Sequence, residues 1–173
     1  MANQQHLELL RQGGANTWNT WRQSHPATLP QLHGADLSGA DLGNYNLSGA
    51  DLSEANLQNA HLSASHLIEA VLIGANLANA DLAGAKLMTF LRPGQGWGWE
   101  WWGARPAQIE AKLAFSNLRS ANLADADLSG ADLTGANLMA ANLCGANLNW
   151  ARLTDALISD EQLSTVKSRL EQR

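Results

Sequence analysis

Leucine recurs at every fifth position along most of the chain, at 32, 37, 42, 47, 52, 57, 62, 67, 72, 77, 82 and 87, then at 113, 118, 123, 128, 133, 138, 143, 148 and 153. Two residues before each lies a small side chain, almost always alanine; Pro30, Tyr45, Ser65 and Ser116 are the exceptions. The residue between is usually Asp or Asn, so the repeat reads A-(D/N)-L-x-x. A period of five fits neither a helix nor an alternating strand, and it predicts a coil that turns after every pentapeptide. From Leu87 to Leu113 is 26 residues, five pentapeptides plus one, so the phase slips and the intervening segment must leave the coil.

If each pentapeptide forms one side of a four-sided turn, the Leu and the Ala two before it face a narrow axis and the other three positions face water or corners. Stacked coils would then pair their backbones at ~4.8 Å, with the leucines as continuous ladders. Alanine suits its slot because a larger group overfills the tube, at about 1–3 kcal/mol. Aspartate recurs because a short polar side chain there can bond locally to backbone.

Runs such as Ala35-Asp36-Leu37-Ser38-Gly39, Ala131-Asp132-Leu133-Thr134-Gly135 and Ala146-Asn147-Leu148 resemble the pentapeptide-repeat family. The lead-in from Leu9-Leu10-Arg11-Gln12-Gly13 to Trp18-Asn19-Thr20-Trp21-Arg22 is similar to that of cyanobacterial members. The resemblance implies an all-β solenoid, a right-handed quadrilateral β-helix of about five coils interrupted by one long loop, with short α-helical caps at one or both ends. The hand rests on the resemblance, because the repeat alone suits either. The family is functionally diverse, and its best understood branch imitates DNA and binds type II topoisomerases.

The expected organisation is a helical and aromatic N-terminal cap over 1–29, coils over 30–88, a Trp-rich insertion over 89–110, coils over 111–158 and a capping helix within 159–173. Both tube ends need covers against edge pairing. Ser159 with Gln162 has the form of a capping box, and Leu163, Val166 and Leu170 fall at helical spacing, which predicts a helix over 160–171. At the other end 4–12 reads as a helix stopped by Gly13-Gly14, with Trp18 and Trp21 on one apolar face.

The insertion concentrates four of the seven tryptophans in six residues: Trp97, Trp99, Trp101 and Trp102, flanked by Arg92 and Arg105. If the segment is extended, Trp97, Trp99 and Trp101 share one face. Trp and Arg are enriched at binding hot spots, so these six residues are the candidate partner-binding set. The competing reading packs the indoles on the coil or over the point where the register slips.

Stacking places residues 20 apart above one another, so Asp41, His61 and Asp81 form a column of acid, imidazole and acid, a candidate pH-sensitive element. The plainer reading is an ordinary solvated column. If Leu113 resumes on the face after Leu87, a second column joins Lys112, Asp132 and Arg152. The run 30–88 carries a net charge of −5 and 111–158 a net of −1, so only the first half could imitate a polyanion.

A net charge of −5 for the whole chain lacks the basic footprint of direct nucleic-acid binding. The histidines His6, His25, His33, His61 and His66 are scattered, no phosphate-loop spacing occurs, and a coil this regular offers no pocket, so neither an enzyme nor a cofactor or metal is expected. The single Cys144 cannot form an internal disulfide, and neither an export signal nor a membrane-spanning run is read, which points to the cytoplasm and away from membranes. The leading expectation is a non-enzymatic scaffold that docks a protein partner on a rigid rod and a Trp-rich loop. The alternative is a DNA-imitating binder of a topoisomerase or other nucleic-acid enzyme, and a third arrangement is self-association into a homodimer.

Overall fold

The computed structural model describes residues 1–89 and 109–166. Within the repeats the backbone pairs with itself one level along the rod: Leu37 N–H donates to the Asn56 carbonyl at 2.8 Å, and Asn56 N–H returns to the Ala35 carbonyl at 2.9 Å. The parallel bridges join residues 20 apart, Asp36 with Asn56 and Asp41 with His61 among them, so four pentapeptides close one coil. Each side ends in a turn closed by the N–H of the next alanine-slot residue on the preceding Leu carbonyl, as Ala40 on Leu37 at 3.1 Å and Ser65 on Leu62 at 3.1 Å. The third residue of that turn is left-handed, with φ of 65° at Gly39 and 58° at Glu54. Such a backbone costs a side-chain-bearing residue about 1–2 kcal/mol, which explains the frequency of Gly in the last position of the repeat.

The leucines and alanines are buried along the axis and, continuous with Leu7, Leu10 and Trp18 of the helical cap, form one core. Ser65 and Ser116 occupy alanine slots with their hydroxyls buried and unpartnered. The Asp or Asn before each Leu turns its Oδ1 onto the amide two residues ahead; Asp51 Oδ1 accepts from Ser53 N–H at 3.1 Å and Asn76 Oδ1 from Ala78 N–H at 3.2 Å. That bond fixes which end of each asparagine is oxygen, and the Nδ2 amide points along the rod. Asn56 donates to Asp36 (3.1 Å), Asn76 to Asn56 (3.3 Å) and Asn117 to Asn76 (3.2 Å), a ladder in which every donor faces the N-terminal neighbour.

Across the interruption the bridges join residues 41 apart, Val71 with Lys112 and Lys86 with Asp127. Leu113 therefore resumes on the face that follows Leu87. Ala111 N–H donates to the Leu87 carbonyl at 3.0 Å, the same closing bond as at any other corner. The excess residues leave through that corner as an antiparallel ribbon of β1 (Met88–Thr89) and β2 (Ile109–Glu110), with Met88 opposite Glu110. The expected slip of phase is taken up in one turn, and the tube itself carries no register defect.

At the N-terminus α1 (Gln4–Gln12) spans the expected residues and stops at its Gly13 cap, where the chain bends directly into a second helix, α2 (Gly14–Ser24). A Cβ at Gly13 would sit 2.8 Å from the Thr17 side chain and 2.9 Å from the Leu9 carbonyl, and Gly14 has φ +63°, so the bend needs both. Trp18 is fully buried and donates its Nε1–H to the Asn46 carbonyl at 2.9 Å, while Trp21 packs on Trp18 at 5.2 Å. At the C-terminus α3 (Asp160–Ser164) starts with the expected Ser159–Gln162 capping box, but it ends at a Thr165 cap instead of running to 171. Residues 167–173, with Leu170, lie outside the described residues. The Gln162 Nε2 amide donates to the Leu138 and Ala141 carbonyls at 2.7 and 2.9 Å, tying α3 to the last coils.

Candidate interaction surface

The corner between the face of Lys86 and the face of Lys112 is where the ribbon leaves the tube, so it fixes the root of the Trp-rich segment. Arg92, Trp97, Trp99, Trp101, Trp102 and Arg105 themselves lie outside the described residues. The sides of the root are charged in pairs: Lys86 stacks beneath Asp127, and Lys112 beneath Asp132. Along this corner, on the level below the ribbon, Glu69 is exposed and Ile68 half-buried, whereas Ser129 on the level above is fully buried. One level further up stands Trp150, 58% exposed. Trp150 occupies a left-handed turn position with φ of 58°, where the coil below has Gly130.

Because Leu113 resumes on the face after Leu87, the column Lys112, Asp132 and Arg152 forms, and Arg152 reaches Asp132 at 3.1 Å. Burial pushes the Asp132 carboxyl up, but the Thr134 hydroxyl and amide, together with Arg152, outweigh it and hold it below the ordinary range. Asp41, His61 and Asp81 also stack in one column through parallel bridges. Asp41 Oδ1 accepts from Gly43 N–H at 3.3 Å; Asp81 Oδ1 accepts from Ala83 N–H at 3.1 Å and from Asn122 Nδ2 at 2.9 Å. His66 stands on the next face between Asn46 and Lys86, where burial and the Lys86 charge lower its basicity.

Sequence reasoning missed several surface features. Phe115 is 68% exposed and lays its ring over Gly135, so that a Cβ there would come within 2.6 Å of Phe115 Cδ1. Its signal was an aromatic in a turn slot. His33 joins two corner residues of the next coil, bonding the Ser53 hydroxyl at 2.8 Å and lying 3.7 Å from Glu54. An open cleft of about 360 Å3 separates the helical cap from the first coil, lined by Leu10, Arg11, Gly14, Asp41 and Tyr45 among others. Burial, then the Asp41 charge, raises the Tyr45 phenol above its usual value, and its hydroxyl donates to the Leu10 carbonyl at 3.3 Å.

Among the described residues no group of three or more His, Cys, Asp or Glu could hold a metal ion. No helix among them is long and apolar enough to cross a membrane. Cys144 is exposed and free. His61 and His66 stand on adjacent faces, and the repeated aspartates are committed to their own turns.

A closed stack of four-sided coils, carrying polar ladders outside and leucines within, defines a β-solenoid repeat protein. Eight copies of the pentapeptide repeats match at residues 31–67, 55–89, 109–141 and 121–160, and the chain belongs to the pentapeptide repeat family. Among solved structures it is similar to a pentapeptide repeat protein from the cyanobacterium Cyanothece 51142, at 26% identity over 84% of this chain and 100% of that one, with a TM-score of 0.54. It is also similar to a pentapeptide repeat protein of the Arabidopsis thaliana thylakoid lumen, at 25% identity, covering 78% of this chain and 72% of that one, with a TM-score of 0.43. A third is HetL of Nostoc sp. strain PCC 7120, involved in heterocyst differentiation regulation, at 26% identity over 80% of this chain and 60% of that one, with a TM-score of 0.44. No curated protein matches the chain.

Proposed function

We propose that the protein is a non-enzymatic docking scaffold of the cytoplasm: a right-handed quadrilateral rod of about five coils, helically capped, whose faces and Trp-rich segment bind a protein partner. The observation that carries this reading is the unbroken tube. Because Ala111 closes on Leu87 like any other corner, the coil has no need of the inserted residues to repair it. A segment with four tryptophans and two arginines that the core does not need is best explained by recognition, and Arg92, Trp97, Trp99, Trp101, Trp102 and Arg105 are the residues proposed to make it. The rod contributes preorganisation, since its surface loses little freedom on binding.

The test compares the intact chain with one in which 92–108 is replaced by a short Gly-Ser linker, both shown to be folded. A partner captured from native lysate by the intact chain and lost by the shortened one supports the reading. Equal capture by both moves recognition to the faces of the rod. Capture by neither leaves the insertion without a partner and sinks the scaffold reading for that lysate.

The charge columns weigh against imitation of DNA. Each column in the described tube mixes signs or neutral amides, as where Lys86 follows His66 and Lys112 follows Val71, so no face presents an unbroken line of acids. A supercoiling assay at micromolar protein tests that reading, and inhibition there would restore it. We also propose Asp41, His61 and Asp81 as a pH-sensitive column; an NMR midpoint for His61 that Asp81→Asn leaves unmoved ends the idea.

A further inference from the structure

The first coil has no coil beneath it, so the backbone of Gln31 is an unpaired edge unless something else covers it. Helix α1 supplies two bonds. The Gln31 carbonyl accepts from Asn3 N–H at 2.8 Å, and Gln31 N–H donates to Nδ1 of His6 at 3.1 Å. An imidazole nitrogen accepts only when it carries no proton, so this bond requires neutral His6 with its proton on Nε2. We propose that His6 is a pH-sensitive latch on the N-terminal cap: a proton on Nδ1 breaks the bond to Gln31 and releases the start of α1 from the edge of the first coil.

The surroundings favour the neutral ring. From α2 the charged group that faces His6 is Arg22, and the Trp21 ring packs on it at 5.1 Å. From the first coil the facing group is the uncharged Gln31 amide, and Asn3 on the α1 side is also uncharged. Glu8 is exposed two positions on, about 200° round the helix from His6, while His25 packs on Trp21 at 5.3 Å. Burial, then the Arg22 charge, lowers the basicity of His6 below the ordinary imidazole value. The unfolded or released state therefore binds the proton more readily. Stability from the latch is complete above the ordinary value of about 6.5, and it is lost as pH falls from there through the depressed folded value.

Release is confined to the beginning of α1. Its far end is held by Arg11, which donates to the Asp36 carbonyl at 2.7 Å, and by the Tyr45 hydroxyl on the Leu10 carbonyl. Helix α2 is held separately by Trp18 on Asn46 and by Arg22, which donates to the Ser48 carbonyl at 2.8 Å and to the Thr28 carbonyl. What the proton uncovers is the Gln31 edge, with Leu7 and Leu32 behind it.

Amide hydrogen exchange on the full chain, corrected for intrinsic rates, tests the latch between pH 7.5 and 4.5. The expected result is a loss of protection at Gln31 and Leu7 of about tenfold, the worth of one hydrogen bond, with Leu57 and Leu77 in the tube unchanged. In His6→Gln the side-chain oxygen can still accept from Gln31 without titrating, so protection should stay flat with pH. A wild-type chain without the loss, or a His6→Gln chain with the same loss, overturns the proposal. Should His6→Gln fail to dock α1 even at pH 7.5, wild-type NMR decides: the Gln31 amide shift must follow the His6 ring with one midpoint, and independent titration of the two overturns it.

Discussion

Beyond the first coil, where Tyr45 packs toward Trp18 of the cap, the alanine slot holds a methyl group and little else, and at Ser65 and Ser116 it holds a hydroxyl with no partner. Replacing either serine by alanine should stabilise the fold by about 1 kcal/mol, because an unsatisfied buried hydroxyl is removed without leaving a cavity. The two serines lie on different coils and faces, so their effects should add, and urea midpoints of both single variants and the double variant check this. On the outside, the asparagine ladder has a direction that A-(D/N)-L hides, since the repeat treats Asp and Asn as equals. Asp36 can stand at the base because it needs only to accept; Asn76 must also donate to Asn56. Asn76→Asp should therefore cost about 1–3 kcal/mol at neutral pH, the penalty for two facing acceptors, and recover as the new carboxyl is protonated. Asp36→Asn keeps the acceptor and should be close to neutral. The sequence showed which residues recur but not which atom of each amide faces which neighbour, because that is settled by the Oδ1 bond to the turn.

An element's fate here depended on whether a periodic signal stated it directly. The sides of the tube were legible because Leu and Ala mark nearly every inward position, whereas the register after the interruption stayed conditional on the face at which Leu113 resumes, since a gap of 26 residues does not state it. The stop of α1 at Gly13 was legible, but the immediate restart as α2 was not: Asn, Thr and Trp are indifferent helix formers, and the stability of α2 comes from burying Trp18 and from the bonds of Arg22. At the other end, helical spacing of Leu163 and Val166 suggested a helix through both, yet α3 ends before Val166. The insertion is an element-scale feature that can be removed. Replacing 88–110 by Asn-Gly restores an ordinary corner between Leu87 and Ala111, and the closed loop falls from 23 residues to two. Shorter closure should raise stability by about 2 kcal/mol. Thermal unfolding of the two chains reads this out; a fall in midpoint would show that the insertion supports the coil and would count against its role in recognition.

At the scale of the whole molecule the two ends of the rod are finished differently, and the difference predicts how the protein fails. The N-terminal end is covered by two helices that bury Leu7, Leu10 and Trp18 and satisfy backbone groups of Gln31, Asp36, Asn46 and Ser48. The described C-terminal end carries a five-residue helix with no fully buried residue, and Leu157 in the last coil remains 55% exposed in a position that other coils give to Asp or Asn. Removing 1–29 would uncover the leucines of the first coil together with a row of unpaired parallel edge, the arrangement most prone to pairing with another chain. Removing 159–173 should uncover less, since Gln162 is the residue that ties α3 to backbone carbonyls there. The expected outcome is concentration-dependent association, seen by light scattering, for the N-terminal deletion at protein levels where the C-terminal deletion stays at the size of the intact chain. Equal association by both would mean that α3 protects its end as fully as α1 and α2 do theirs. Association by the C-terminal deletion alone would reverse the assignment and make the short capping-box helix the element on which the rod depends.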